Sequence, residues 1–212
     1  MASSSGESMA IKLVTVTGPS CAGKTTLVRK LLENDRFCEV ISFTTRPKRA
    51  GEIDGKDYYF MDYRKAEELI IKGKTAEYTK FKSNIYGIEK REIDAKLAIG
   101  KIPLSIVEPT GLKQLRTLYT DEIFSVYVDA SVTLLYQRFL ERLAADIRSG
   151  ADVSIPYYAL RLAGIAREAQ SWKEETNSWD FFISDFTSDN EESIISSLTK
   201  VLINPKRELR LA

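Results

Sequence analysis

Five short apolar runs, rich in β-branched residues, punctuate the chain: "IKLVTVT" (11–17), "EVISF" (39–43), "IPLSIV" (102–107), "IFSVYVD" (123–129) and "DFFIS" (180–184). Each is strand-sized and nearly continuous, the pattern of a strand covered on both faces. Between them the apolar positions fall at helical spacing. "KTTLVRKLLEN" (24–34) puts Leu27, Leu31 and Leu32 on one face. Segments 64–74, 89–101, 132–147, 157–175 and 190–203 behave alike, the last with Asn190 as an expected N-cap and two acids in its first turn. Strands alternating with helices predict an α/β fold around a parallel, five-stranded core sheet flanked by helices. Two stretches interrupt the alternation. Residues 44–63 are dense in turn residues, charge and tyrosine, and residues 148–156 break two helices with Ser-Gly and a proline. A loop as long as the first is usually functional.

Composition narrows the chemistry. The 212 residues suffice for one domain with a full core. A net charge of +1 gives no broad footprint for nucleic acid or an anionic membrane, and no apolar run approaches a membrane span. The small, polar opening "MASSSGES" reads as a disordered leader over residues 1–10. Two cysteines, Cys21 and Cys38, lack metal-like spacing and fit a reduced, cytoplasmic protein. Histidine is absent. Chemistry must therefore run on lysine, arginine, carboxylates, hydroxyls and backbone amides.

The stretch Gly18-Pro-Ser-Cys-Ala-Gly23-Lys24-Thr25 fits G-x-x-x-x-G-K-[ST], and it lies between an expected strand and an expected helix. Glycines let the backbone curl so that successive N–H groups point at an anion, and the helix N-terminus adds its positive end. Lys24 supplies a point charge for the β/γ-phosphates, and the Thr25 hydroxyl suits Mg²⁺. Gly18, Ser20, Ala22, Gly23, Lys24, Thr25 and Thr26 are the candidate ATP contacts. Cys21 sits near a helix N-terminus, where a thiol pKa tends to fall; ATP is expected to shield it.

A loop of this kind does not identify an acceptor. The segment "SFTTRPKRAGEIDGKDYYF" (42–60), followed by Glu77, "NIYG" (84–87) and "VEPTG" (107–111), resembles the guanylate kinase signature. The likeness is close over 11–115 and looser beyond. It implies a P-loop kinase fold and ATP-dependent, Mg²⁺-assisted phosphorylation of a small-molecule nucleoside monophosphate, GMP or dGMP. In that reading Arg46, Arg49, Tyr58 and Tyr86 hold the acceptor phosphate, with Glu52 orienting an arginine; forked guanidinium donors suit a phosphate dianion. Glu77 reads the guanine donor edge, with Ser42 and Glu108 as further contacts.

Two positions depart from the family pattern. Ile88 stands where a serine or threonine is usual, and Ile106 where an aspartate is usual. An apolar wall at Ile88 would suit a thymine methyl, so a phage-type deoxynucleotide kinase with altered base choice (dTMP or a modified pyrimidine) is a second implication. A guanylate-kinase-like protein-binding module without catalysis is a third, opposed by the intact Lys24 and Thr25.

The resemblance divides the chain into a P-loop core (11–42, 90–137, 162–205), a monophosphate-binding segment (43–89) and a lid (138–161). Arg138, Arg142 and Arg161, with Lys24, are the candidate catalytic cations. Arg148 is a further lid arginine, and Glu141 is the expected partner if the helix arginines merely face solvent. The base of ATP is expected near "ISDFTS" (183–188). A monomer or homodimer is expected.

Overall fold

The computed structural model describes residues 11–49, 51–81, 83–150, 153–175 and 179–204; the expected leader lies outside them. Five strands, β1 (Leu13–Thr17), β2 (Phe37–Glu39), β7 (Ile102–Ile106), β8 (Ile123–Asp129) and β9 (Phe181–Ser184), form an all-parallel sheet in the order β2-β7-β1-β8-β9. The register runs Val14↔Leu104 on one side of β1 and Val14↔Phe124 on the other. β1 is buried at all five positions, which is why its run lacks alternation.

Helices cover both faces. On one, α1 (Lys24–Leu31), α5 (Val132–Arg148), α6 (Ile155–Glu175) and α7 (Glu191–Ile203) supply Leu27, Leu135, Ile165 and Leu198 to a cluster with Val14, Val126 and Val128. On the other, α3 (Lys90–Ala98) and α4 (Pro109–Tyr119) bring Ile93, Leu112 and Leu115 against Leu13 and Ile123. A second sheet, in the order β4-β3-β6-β5, is built from β3 (Phe43–Thr44), β4 (Tyr59–Phe60), β5 (Thr75–Phe81) and β6 (Asn84–Glu89). Its small core of Phe43, Ala66 and Ile85 is closed by α2 (Tyr63–Ile71).

The expected strand 39–43 is split: Phe37–Glu39 joins the parallel sheet and Phe43–Thr44 the second sheet. The chain changes sheets there, which apolar character alone does not reveal. The β5–β6 hairpin was not expected, because "TAEYTKF" mixes charge with β-formers and draws its order from cross-strand pairing. Helix α4 was also missed. Its Pro109 and Gly111 read as loop, yet proline is suited to the first helical position, where no N–H is needed. The break between α5 and α6 falls as expected, with Pro156 in the first turn of α6. Asn190 precedes α7 but does not cap it: its side chain accepts from the Thr187 N–H and donates to the Asp185 carbonyl, bracing the preceding loop.

Leu198 is fully buried and ties α7 to the sheet. Leu198→Ala should lower stability by about 2–5 kcal/mol through lost transfer energy and the cavity left behind. Chemical denaturation reads the loss, with m unchanged.

Candidate functional site

The segments that follow the parallel strands leave the C-terminal edge of the sheet, the edge where open α/β sheets bind ligands. The first is the loop after β1. Gly18 has φ +154°, and a Cβ there would lie 2.1 Å from the Val128 carbonyl oxygen of β8, so only glycine permits this approach. Gly23, at φ +105°, turns the chain into α1. Lys24 folds back on the loop, its Nζ donating to the Gly18 carbonyl at 2.7 Å and the Pro19 carbonyl at 2.8 Å. Desolvation pushes this ammonium down to about 8, with Glu168 the leading opposing charge.

A cavity of about 350 Å³ opens beside the loop, lined by Lys24, Thr25, Thr26, Arg142, Phe186 and Ser188 among others. Thus 183–188, expected to meet the base of ATP, adjoins the loop through Phe186, Thr187 and Ser188. Asp185 instead accepts from the Ser131 N–H ahead of α5.

The three arginines differ in place. Arg138 is committed to the loop, donating to the Cys21 and Ala22 carbonyls at 3.3 and 3.0 Å and to the Phe186 carbonyl. Arg142, one turn on, lines the cavity with an exposed side chain. Arg161 on α6 donates to the Ser20 hydroxyl at 2.7 Å. Glu141 accepts from Gln137 at 3.0 Å, so its bond is to an amide rather than to the expected arginine.

The acceptor candidates gather on the second sheet. Arg46 meets Glu52 through two bonds of 2.7 and 2.5 Å, and lies over the Tyr58 and Phe60 rings at 5.1 and 5.5 Å. The Arg46 hydrogen bonds, opposed by desolvation, hold the Glu52 carboxyl down at about 2. Tyr86 of β6 meets Tyr58 edge-on at 6.1 Å. Arg49 has an exposed side chain, and its backbone N–H donates to Glu52 at 2.8 Å. Ser42 is half-buried beside β3, its carbonyl accepting from Tyr59.

Glu77 and Ile88 oppose one another across the β5–β6 pair. Glu77 is 8% exposed and lies against the first turn of α4: a Cβ on Gly111 would sit 2.8 Å from its Oε2. That contact explains a glycine in a helix. Burial, then Glu108, pushes the Glu77 carboxyl up to about 8. Ile88, expected as a wall of the base site, is 0% exposed in the apolar cluster with Val40, Ile93 and Val107, and so offers no surface to a ligand in this arrangement. Ile106 closes β7 with a partly exposed side chain. Glu108 precedes α4 and is within electrostatic reach of Lys24, Arg161 and Glu168 as well as Glu77. It therefore lies between the loop and the Glu77 carboxyl. Its own pKa is raised, by burial first and by Glu168 second.

Glu168 was not among the sequence candidates. Its carboxylate accepts from the Ser20 N–H at 2.9 Å. The available signal was its spacing of two helical turns from Arg161, which puts both on one face. Cys21 reverses an expectation. Burial pushes its thiol up, outweighing the nearby Arg142, Arg161 and Lys24 charges.

The sequence pattern of the family described as "Guanylate kinase" matches residues 10–154. The chain is 33% identical over 192 residues to a guanylate kinase of Nostoc sp., covering 90% of this chain and 89% of that protein. It is 30% identical to one from Carboxydothermus hydrogenoformans over 92% and 91% of the two chains. In structure it resembles guanylate kinase from Anaplasma phagocytophilum with a TM-score of 0.66 at 22% identity, covering 96% of this chain and 90% of that one, a likeness of fold.

A thiol raised above its ordinary value reacts slowly. Iodoacetamide at pH 7.5 should modify Cys21 more slowly than a free cysteine peptide, and saturating ATP should slow it further. Peptide mass spectrometry reads both rates; a rate unaffected by ATP would place the thiol outside the nucleotide's shadow.

Proposed function

The chain belongs to the guanylate kinase family, and from that premise we propose that it transfers the γ-phosphoryl group of ATP to GMP or dGMP, giving GDP or dGDP. It is a nucleoside monophosphate kinase, a phosphotransferase. Two anion grips in one chain carry the reading: the Gly18–Thr26 loop with its intact Lys24, and the Arg46 clamp on the second sheet. A protein-binding module without catalysis has no use for the first.

Arg46 is the main acceptor-phosphate ligand in this proposal. Glu52 and the Tyr58 and Phe60 rings fix the guanidinium before substrate arrives, so little rotamer freedom is lost on binding. Tyr58 and Tyr86 add phenol donors beside it, and Arg49 reaches in from solvent. Glu77 accepts from the guanine N1–H and 2-amino group, with Ser42 and Glu108 at the edges of the same site. On the donor side, Lys24 leaves its two carbonyl partners for the β/γ-phosphates. Arg138 holds the loop in shape, while Arg142 and Arg161 bring charge to the moving phosphoryl group. Such transfer is catalysed mainly by alignment and charge. The Thr25 hydroxyl, exposed on the cavity beside Lys24, suits a hard cation and would hold Mg²⁺ together with phosphate oxygens and waters. Bound there, the ion supplies positive charge against the triphosphate.

The same proposal has the protein working in the cytoplasm, as a monomer or homodimer, on small-molecule nucleotides rather than nucleic acid. No helix among the described residues is long and apolar enough to cross a membrane.

One observation favours a second base. A Glu77 that keeps its proton at neutral pH offers a donor and an acceptor together. That pair matches the N3–H and O4 of thymine, whereas guanine's two donors call for the ionised form. A panel of GMP, dGMP, dTMP and dUMP at pH 6.5 and 8.5 separates the two. If guanine is the substrate, binding must expel the Glu77 proton. GMP affinity then rises by up to about tenfold per pH unit toward pH 8 and levels off above it. Preference for dTMP over dGMP at both pH values overturns the guanine assignment.

Substitutions test the two grips separately. Lys24→Ala should lower kcat by on the order of 10²–10³-fold at any acceptor concentration. Arg46→Ala should raise the acceptor KM by about 10–100-fold, as charge-assisted bonds of about 1.5–3 kcal/mol are lost. An unchanged acceptor KM would remove Arg46 from the phosphate site.

A further inference from the structure

Helix α6 hydrogen-bonds to Ser20 of the loop after β1 through two of its side chains. Arg161 Nη2 donates to the Ser20 hydroxyl at 2.7 Å, and Glu168 Oε2 accepts from the Ser20 backbone N–H at 2.9 Å. The two side chains stand seven residues apart, two helical turns, with Ile165 between them and Ala169 beside Glu168 on the face buried in the core cluster. The inner face of α6 is therefore a continuous stripe of cation, apolar anchor and anion. Its charged ends close on a single loop residue.

We propose that Glu168 is a positioning residue for phosphoryl transfer, pinning α6 to the donor loop through the Ser20 amide so that Arg161 is carried at a fixed offset from the ATP phosphates. This rests on the kinase reading above. Glu168 touches neither substrate nor a reacting atom in this role. It acts through Ser20 and Arg161.

The chemistry favours an anchor over a spare surface acid. A half-buried carboxylate aimed at a backbone N–H makes a charge-assisted bond, stronger than a neutral pair and directional. The bond joins segments 148 residues apart in sequence, so it fixes a tertiary relation rather than a local turn. Four charges meet here: Lys24 and Arg161 against Glu108 and Glu168, each within electrostatic reach of others in the set. Incoming ATP draws the two cations toward its phosphates. Glu168 keeps its own donor, the Ser20 N–H, and so holds the helix in place while Arg161 exchanges the Ser20 hydroxyl for a phosphate oxygen. Losing that register by about 1 Å is enough to cost on the order of 100-fold in rate.

The experiment compares Glu168→Ala, Glu168→Gln, Arg161→Ala and the Glu168→Ala/Arg161→Ala double variant, with kcat normalised to folded protein. Glu168→Ala should lower kcat by on the order of 10–100-fold with acceptor KM within about twofold of wild type. Glu168→Gln, whose amide oxygen can still accept from Ser20, should recover most of that loss. In the Arg161→Ala background, removing Glu168 should add less than about twofold, because its effect passes through Arg161. Wild-type kcat in Glu168→Ala, or additive losses in the double variant, overturns the proposal. A readout independent of turnover accompanies these: hydrogen exchange of the peptides spanning 18–26 and 155–175. Both should exchange faster in Glu168→Ala, with the glutamine variant near wild type. An unchanged 18–26 peptide overturns the anchor even if the acceptor proves not to be a nucleotide. Failure of wild type to phosphorylate any nucleoside monophosphate would refute the kinase reading and leave the exchange result to judge the anchor.

Discussion

The near-contact of Gly18 with the Val128 carbonyl governs the rest of the molecule. It presses the loop after β1 onto the end of the neighbouring strand β8, and no side chain fits between. A loop held there lies at the sheet edge, with α1 starting directly behind it. Arg138, Arg161 and Glu168 all take their partners from this loop. Each of those contacts presupposes that the backbone is already fixed. The helices on that face are thus organised by the loop as much as by the apolar cluster beneath them.

The second sheet is built on a different principle. It is short-stranded and has a small core, so its rigidity comes from polar and aromatic contacts around Arg46. A pair as close and as sheltered as Arg46–Glu52 contributes more than an exposed ion pair, because water screens it less. The two sides meet at Glu108, which lies on α4's threshold between Lys24 and Glu77. Burial holds the Glu77 and Glu108 carboxyls above their ordinary range.

Much of this was legible in the sequence. Continuous apolar runs located β1, β7, β8 and β9 of the parallel sheet, whereas β2 (Phe37–Glu39) shares only Glu39 with the expected run 39–43. The G-x-x-x-x-G-K-T spacing located the donor loop, because the backbone curl needs glycines at fixed offsets. What escaped shares a cause: its stability comes from partners distant in sequence. The β5–β6 hairpin takes its order from pairing and from α4, and α4 begins with residues that spell a turn. Ile88 is buried by Val40, Ile93 and Val107, partners that no local pattern spells. Glu168 belongs to no motif; its two-turn spacing from Arg161 can be read in the sequence, but its bond to Ser20 cannot.

The Lys24 ammonium is solvated by protein. Two loop carbonyls stand in for water, and on the proposed kinase reading the phosphates of ATP would displace them. Donor affinity thus reports an exchange of one set of oxygen ligands for another, a difference between two comparable quantities. Small changes in how firmly those carbonyls are held would tune the enzyme's hold on ATP without altering any residue that touches it.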